Sequence, residues 1–195
     1  MQATGQALGL RERKKIKTRQ AIRRAALRLI EENGYAATTV EQIAEAAEVS
    51  PSTFFRYFPS KESVLLADDL DTLILEAFEQ QPPELTPIQA FRGAYESVMA
   101  NMPEEQREFE NTRQRLMFSI PELKAALYDE YIRTVTVIAA ALSRRTGRSP
   151  SDFEIRVLAG AATGAMMAAS DGGAPITADL VYRTLDFIDA GMPLT

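Results

Sequence analysis

The sequence predicts an all-α protein of about nine helices, divided into a small basic part and a larger acidic part. No stretch of the 195 residues alternates between apolar and polar side chains, whereas apolar residues recur at helical spacing along most of the chain. Of 22 Lys and Arg and 27 Asp and Glu, residues 1–61 carry 11 basic and six acidic ones. Such a charge asymmetry is typical of a basic module that binds a polyanion, joined to a body that does not.

The composition also excludes several kinds of chemistry. The chain has no Cys and no His, which excludes Cys/His zinc sites and Ser-His or Cys-His catalytic pairs. It has no glycine-rich phosphate loop and no nucleophile elbow, so we expect no enzyme, no cofactor and no metal. The absence of cysteine, of a secretory signal and of a membrane-length apolar run indicates a cytoplasmic protein.

The first predicted helix runs from about Arg11 to Asn33, after a loose tail of residues 1–9. Apolar residues recur along one side of it, and Gly34 follows as a stop signal. These apolar positions are Ile22, Ala25, Ala26, Leu29 and Ile30.

Two short helices follow, and their capping residues define their starts. Thr39 and Gln42 form a capping box for a helix from Val40 to about Ala47. Ser50 caps the next helix, which has Pro51 at its first position and ends before residue 59. Two short helices separated by a three- to four-residue turn and braced by a longer one predict a helix-turn-helix over residues 1–60.

The second short helix concentrates aromatic residues. Four of the nine Phe and six Tyr lie within residues 54–58. We expect Phe54 and Phe58 to point inward and to anchor the helix, and Tyr57 to face outward. The position of Phe55 is left open between these two environments.

Residues 61–195 are predicted to form a second, helical domain. Ser60 caps a helix from Lys61 to about Gln80, and prolines or caps begin the five that follow. The five cover residues 86–102, 103–120, 121–142, 151–170 and 177–190.

The segment GYAATTVEQIAEAAEVSPSTFFRYFPSKESVL, residues 34–65, resembles the DNA-binding domain of TetR-family transcriptional regulators. It departs from the common pattern at Ser52, where many members have Gly, and at Phe55, where many have Tyr. Residues 66–195 match the family only in length and helical character. The resemblance implies a dimeric, ligand-responsive regulator, most often a repressor, released from a palindromic operator by a small hydrophobic effector that moves the helix at 61–80.

A DNA interface follows from the helix-turn-helix, whose second helix enters the major groove. We expect its N-terminal hydroxyls to contact bases, while Arg56 contacts a guanine or a phosphate or stays on the surface. By resemblance, Tyr57 and Lys61 bind phosphate. The full candidate set is Lys14, Lys15, Lys17, Arg19, Thr39, Ser50, Pro51, Ser52, Thr53, Arg56, Tyr57 and Lys61.

The resemblance also implies a ligand pocket among the middle helices, although each candidate residue is more typical of an ordinary core. Arg113 is the notable one, since it could bind an anionic ligand or be neutralised by Glu110 or Glu122. The candidate pocket residues are Phe91, Tyr95, Met99, Arg113, Met117, Phe118, Tyr131 and Val135.

A dimer interface is predicted on the last two helices. Gly160, Gly164 and Ala168 repeat every four residues and permit close approach by another helix, from a second subunit or from the same chain. The candidate interface comprises Val157, Gly160, Ala161, Gly164, Met167, Ala168, Leu185 and Ile188.

Two other classes of function remain compatible with the residues. One is a constitutive DNA-binding protein without a ligand. The other is a helical enzyme that uses carboxylates such as Glu108 and Glu110, for which no motif is present.

Overall fold

The structure, a computed structural model, describes residues 9–66, 69–169 and 176–194. Within these ranges it consists of ten α-helices and one short 3₁₀ helix, without a β-strand, which confirms the predicted all-α class. The chain forms two compact units, Met1–Leu65 and Leu66–Thr195. Apart from Gly9, the predicted tail of residues 1–9 lies outside the described residues.

The first unit contains α1 (Leu10–Asn33), α2 (Val40–Ala46) and α3 (Pro51–Tyr57), and α4 (Lys61–Leu66) begins within it. The predicted helix-turn-helix is therefore present, with boundaries within one residue of those expected. Of the helix predicted over 61–80, the structure describes two stretches, α4 and α5 (Asp69–Glu79). Residues 67 and 68, which lie between them, are outside the described residues.

Local sequence signals determine the ends of the short helices. The hydroxyl of Thr39 accepts a hydrogen bond from the backbone N–H of Gln42, and the Gln42 side chain accepts one from the N–H of Thr39, as a capping box requires. The Ser50 hydroxyl accepts from the N–H of Thr53, and Pro51 occupies the first helical position.

The turn between α2 and α3 is a Schellman motif. The N–H of Val49 donates to the carbonyl of Ala44 at 2.9 Å, and the N–H of Glu48 donates to that of Glu45 at 3.0 Å. Glu48 has φ 55°, the left-handed conformation in which glycine is the usual residue. The turn therefore keeps its geometry despite a side chain that disfavours it.

The second unit continues after α5 with α6 (Pro87–Asn101), α7 (Glu104–Ser119) and a 3₁₀ turn (Pro121–Leu123). It ends with α8 (Lys124–Thr146), α9 (Phe153–Ala169) and α10 (Ala178–Asp189). Thr86 and Thr177 cap α6 and α10 by accepting backbone N–H bonds, and α8 ends at Gly147, which has φ 72°. The predicted starts and stops of these helices agree with the structure to within a few residues.

Helices α6 and α9 each contribute to both described cores of the second unit. One core joins α5, α6, α8 and α9 through residues such as Phe78, Ala94 and Leu142. The other joins α6, α9 and α10 through residues such as Tyr95, Ala162 and Leu185. The α5–α6 loop is fastened to α8 by Arg145, which donates to the carbonyls of Gln81, Pro82 and Leu85.

Across the described residues, no helix is both long enough and apolar enough to cross a membrane.

Candidate nucleic-acid interface and ligand cleft

Helix α3 presents a polar face to solvent at its N-terminal end. Ser50, Pro51 and Ser52 are exposed and Thr53 is half-buried. The Ser50 hydroxyl donates to the Thr53 hydroxyl at 3.0 Å, and it lies 3.0 Å from that of Ser52. Arg56 is also exposed, one turn beyond Ser52, with its guanidinium 5.5 Å from the ring centre of Tyr57. The hydroxyls and the guanidinium thus form one outward-facing, hydrogen-bonding surface.

The opposite face of α3 is fixed by aromatic packing. Phe54 and Phe58 are buried, with ring centres 6.0 Å apart, as the sequence predicted. Phe55 is 52% exposed and meets Phe54 edge-on at 5.5 Å, so it lies outside the core. Since a seven-residue helix has little stability of its own, these buried rings hold the outward face in position.

Basic residues of α1 differ in their surroundings. Lys14, Lys15 and Lys17 are exposed, and Lys15 lies 3.7 Å from Glu12 in an exposed pair. Arg19 is half-buried, with its guanidinium 4.8 Å from the ring centre of Phe58. The three lysines are therefore accessible to a polyanion, while Arg19 packs against Phe58, one of the buried rings that anchor α3.

Lys61 is largely occupied inside the first unit. Its ammonium donates to the carbonyls of Tyr35 at 2.7 Å and Thr38 at 2.9 Å, and it lies 3.9 Å from the Tyr35 ring centre. The Tyr35 hydroxyl donates to the Glu62 carboxylate, and this hydrogen bond is the main cause that lowers the pKa of Glu62. Hydrogen bonds from Ser60 and the backbone and the positive charge of Lys61 also lower this pKa, whereas burial raises it. Lys61 therefore fixes the loop between α1 and α2, with one of its three N–H donors remaining for another acceptor.

The second unit contains a cleft of about 510 Å³. Its walls come from α6, α7 and the beginning of α10, so that aromatic and apolar side chains lie opposite polar and charged ones. The lining residues are Tyr95, Glu96, Met99, Ala100, Arg107, Asn111, Thr112, Arg115, Ile176, Thr177, Ala178 and Tyr182.

Two tyrosines form the aromatic wall of the cleft. Tyr95 and Tyr182 meet edge-on with ring centres 5.7 Å apart, and the guanidinium of Arg92 lies 4.8 Å from the Tyr182 ring centre. Burial raises the pKa of Tyr95 to about 12, assisted by Tyr182 and opposed by the positive charge of Arg107. Tyr95 is 9% exposed, and its hydroxyl has no hydrogen-bond partner among the described residues. Its phenol is therefore a neutral donor over the physiological pH range.

Of the eight predicted pocket residues, Tyr95 and Met99 line this cleft and the other six do not. Phe91 stacks on Phe78 at 4.1 Å, and Val135 lies in the adjoining core. Met117 is buried and Phe118 half-buried on α7, while the Tyr131 hydroxyl donates to the carbonyl of Gly160 at 3.4 Å.

Arg113 is neutralised within the protein. Its Nε lies 2.6 Å from Oε2 of Glu110, and the two residues are 1% and 5% exposed. A second N–H of Arg113 points to the sulfur of Met117 at 3.9 Å. The sequence left the partner of Arg113 open between an anionic ligand, Glu110 and Glu122, and the structure shows an ion pair with Glu110.

Sequence reasoning missed most of the polar wall of the cleft. Arg107, Asn111 and Arg115 recur every four residues on α7, which places them on one helical face. This four-residue spacing is a sequence signal that these three side chains share one face of α7. The sequence does not indicate which helices lie opposite that face, because Tyr182 and Ile176 come from a distant part of the chain.

The predicted dimer residues have mixed environments. Val157 and Ala168 are exposed, Ala161 and Met167 are half-buried, and Leu185 and Ile188 are buried in the chain's own core. Exposed large apolar side chains in the described parts of α9 and α10 are instead Phe153, which is 77% exposed, Val157 and Phe187.

The two glycines of α9 permit a close approach within the chain. A Cβ on Gly160 would lie 3.3 Å from the hydroxyl of Tyr131, and one on Gly164 would lie 3.9 Å from its ring. In the structure, the element that approaches these glycines is therefore α8 of the same chain.

Comparison with known proteins supports the helix-turn-helix and the second unit separately. Residues 22–67 match the family described as bacterial regulatory proteins, tetR family, and residues 85–193 match the family described as MftR C-terminal domain. The HTH-type transcriptional regulator TcmR of Streptomyces glaucescens is 40% identical over 139 residues, which are 70% of this chain and 62% of that protein. The chain thus matches less than two thirds of the length of this relative.

Solved structures show the same fold. The Thermus thermophilus repressor FadR, in complex with lauroyl-CoA, aligns over 91% of this chain and 96% of its own, with 24% identity and a TM-score of 0.51. SmeT, the repressor of a Stenotrophomonas maltophilia multidrug efflux pump, aligns in its triclosan complex over 89% of this chain and 90% of its own, with 19% identity and a TM-score of 0.56. With the family match over more than half of its length, the chain belongs to the TetR family of transcriptional regulators.

Proposed function

We propose that the protein is a ligand-responsive repressor that binds a palindromic operator as a dimer and is released by a small effector. The observation that carries this proposal is the outward face of α3. Ser52 and Arg56 are exposed one turn apart there, on a helix that Phe54 and Phe58 hold from behind. A guanidinium and hydroxyls in this arrangement can read base edges in the major groove.

Phosphate contacts would orient α3 without reading sequence. Exposed Lys14, Lys15 and Lys17 follow one another along α1, and exposed Thr39 caps the N-terminus of α2. Tyr57 is half-buried beside Arg56, so its hydroxyl can reach a phosphate from the edge of the interface. Lys61 contributes mainly by holding the loop before α2 in place, since two of its donors are used there.

A dimer is proposed because one reading helix covers only a few base pairs, and two related by a two-fold axis match a palindrome. Exposed Phe153 and Val157 on α9 and Phe187 on α10 support an apolar contact by these two helices. The predicted interface is revised accordingly, with Phe153 and Phe187 in place of the buried Leu185 and Ile188.

Release by a ligand is proposed from the cleft of the second unit and from the ligands of structural relatives. The structures of FadR and SmeT contain lauroyl-CoA and triclosan respectively. A ligand that binds the form with low DNA affinity more tightly than the form with high affinity shifts the population away from DNA. The cleft between α6, α7 and α10 is a suitable place for such a ligand.

The experiment is selection of binding sites from random duplexes, followed by affinity measurement on the selected sequence by fluorescence anisotropy. We expect a palindromic consensus bound by two chains. Arg56→Ala should weaken binding by about ten- to a hundredfold if the residue pairs with a guanine. Arg28→Ala is the matched control, since Arg28 is an exposed arginine of α1 that pairs with Glu32 at 3.5 Å.

The phosphate-binding role of the three lysines is tested by salt dependence on the same duplex. Replacing Lys14, Lys15 and Lys17 by Gln should reduce the slope of log affinity against log salt by about 0.9 for each phosphate that the protein no longer neutralises. A protein that selects no consensus, or for which Arg56→Ala and Arg28→Ala are equivalent, is not the proposed regulator.

A further inference from the structure

Three hydroxyls on the outward face of α3 form a hydrogen-bonded chain, and Ser50 sets its direction. A serine hydroxyl has one proton to donate and two lone pairs that accept. The Ser50 hydroxyl accepts from the backbone N–H of Thr53 at 3.1 Å and donates its proton to the Thr53 hydroxyl at 3.0 Å. It also lies 3.0 Å from the Ser52 hydroxyl. Because the proton of Ser50 is already used, Ser52 is the donor of this bond.

Ser50 therefore has no hydrogen-bonding capacity left for DNA. Its proton and both of its lone pairs are occupied by Ser52 and Thr53. A bond from Ser50 to DNA would have to replace one of these three, one of which is the N-cap of α3. We conclude that Ser50 supports the reading surface and does not itself contact bases.

Ser52 is left as a hydrogen-bond acceptor. Its proton points to Ser50, and among the described residues its hydroxyl makes no other bond. Its side chain is exposed, one turn before the exposed Arg56. Turning the proton of Ser52 outward would break the bond to Ser50 and with it a chain in which each bond strengthens the next. Ser52 therefore presents lone pairs to the major groove, and not a proton.

The base edges in the major groove distinguish an acceptor from a donor. Adenine presents the N6 amino group and cytosine the N4 amino group, which both donate, whereas O6 of guanine and O4 of thymine accept. An acceptor placed opposite O6 or O4 makes no hydrogen bond and leaves both oxygens unsatisfied. The lone pairs of Ser52 therefore match an amino group.

We propose that Ser52 is a specificity-determining residue that accepts a hydrogen bond from the amino group of an adenine or a cytosine. Ser50 and Thr53 are positioning residues, because their hydroxyls hold Ser52 in the accepting state. The inference rests on the proposed function for the existence of an operator and extends it to the chemistry of one base. It concerns a position at which many TetR-family members have glycine, which has no side chain for such a contact.

The test is a double-mutant cycle between Ser52 and one base. Sites are selected from random duplexes with the full-length protein and with Ser52→Ala, and the base pair at which the two consensus sequences differ is identified. The amino base of that pair is then replaced by an analogue without the amino group, 2′-deoxynebularine for deoxyadenosine or 2′-deoxyzebularine for deoxycytidine. We expect the unsubstituted protein to bind the analogue duplex about three- to tenfold more weakly, which corresponds to one hydrogen bond, and Ser52→Ala to show no such loss.

Two controls exclude other causes of this loss. The same analogue at a base pair outside the consensus should leave the affinity of both proteins unchanged, which excludes an effect of weaker base pairing alone. Ser52→Ala retains the bond between the Ser50 hydroxyl and the Thr53 N–H, so circular dichroism should show an unchanged fold.

Thr53→Val tests the direction of the chain. Valine keeps the branched shape of threonine but cannot accept the proton of Ser50, which is then able to turn to Ser52 and to release the proton of Ser52 toward DNA. We expect the loss of affinity for the analogue duplex to fall to that of Ser52→Ala. A merely structural role of Thr53 would weaken binding of the two duplexes equally and would leave their ratio unchanged.

The outcomes separate this inference from the proposed function. The inference is overturned by an identical consensus for Ser52→Ala, by an equal loss for the analogue in both proteins, or by an undiminished loss in Thr53→Val. Each of these results leaves operator binding in place, so the regulator function stands. If the unsubstituted protein selects no consensus, both proposals fail, because the inference requires an operator.

Discussion

The two units differ in how they use their partly buried polar groups. In the first unit three such groups bond to other parts of the chain: Lys61 donates to two backbone carbonyls, Tyr35 donates to Glu62, and Thr38 donates to the carbonyls of Leu29 and Gly34. In the second unit the Tyr95 hydroxyl faces a cleft without such a partner among the described residues.

This difference fits the two tasks that we assign to the units. Base reading requires side chains held in a fixed geometry, which a closed internal network provides. A response to a ligand requires donors that remain available until the ligand arrives. The comparison teaches that whether one polar group is satisfied within the chain is a guide to its own role, a fixed support or a donor that is available to a ligand, rather than to the rigidity of a whole unit.

The largest expected effect concerns the buried Arg113–Glu110 ion pair, whose two charges neutralise each other inside the second unit. Arg113→Ala should lower the free energy of unfolding by about 3–5 kcal/mol, because it leaves the Glu110 carboxylate buried without its partner. Urea denaturation followed by circular dichroism measures it.

The pair Arg133–Glu130, also three residues apart on one helix but with Arg133 exposed and Glu130 half-buried, is the control for this change. Arg133→Ala should cost no more than about 1 kcal/mol. The double change Glu110→Gln with Arg113→Met should recover most of the stability, since it removes the isolated charge. An equal decrease in the free energy of unfolding for the two alanine variants would show that burial of the Arg113–Glu110 pair does not increase its contribution to stability.

The second effect tests whether Lys61 belongs to the closed network of the first unit. Lys61→Met should lower the free energy of unfolding of that unit by about 1.5–3 kcal/mol in the absence of DNA, because hydrogen bonds from a charged donor disappear. Native-state hydrogen exchange of the α2 and α3 amides measures it. Lys14→Met, at an exposed lysine, should leave exchange unchanged, and an equally small effect at Lys61 would mean that its role is confined to phosphate binding.

The first unit could be predicted from sequence to a greater depth than the second. Thr39 with Gln42, and Ser50 with Pro51, define helix starts through contacts within three or four residues, so their signals are local. Contacts between residues far apart in the sequence have no such local signal and could not be predicted in this way. Lys61 was predicted to bind phosphate, and its contacts with Tyr35 and Thr38, 26 and 23 residues earlier in the chain, carry no local signature.

The cleft illustrates the same limit in the second unit. Its walls combine residues of α6, α7 and α10, and only Tyr95 and Met99 were among the predicted ligand residues. Apolar residues such as Phe91 and Val135 were plausible candidates by composition, but they pack into the adjoining core. Periodicity indicates that a side chain is covered, whereas only the fold determines whether a core or a cleft covers it.

A third effect compares the same motif in both units. Thr39 and Thr86 each form a capping box with a glutamine three residues later. Thr39→Ala should cost about 1 kcal/mol, the usual effect of removing an N-cap. Thr86→Ala should cost more, because the Thr86 hydroxyl also donates to Asp189 of α10 at 2.9 Å. Thermal and urea denaturation measure both changes, and equal costs would show that the additional contact, which is exposed, contributes nothing.

The smallest effect has the opposite sign and concerns the turn of the helix-turn-helix. Glu48 adopts φ 55° at the position of the Schellman motif that favours glycine. Glu48→Gly relieves about 1–2 kcal/mol of backbone strain and costs about 0.5–1 kcal/mol in unfolded-chain entropy, so a net gain of about 0.5 kcal/mol is expected. Glu45→Gly is the matched change, since Glu45 is also exposed but lies inside α2, where glycine should cost about 1 kcal/mol. Urea denaturation distinguishes the two signs. A decrease in stability at both positions would mean that the Glu48 side chain stabilises the turn by more than its left-handed backbone costs, and the first unit would then be less strained than its backbone geometry indicates.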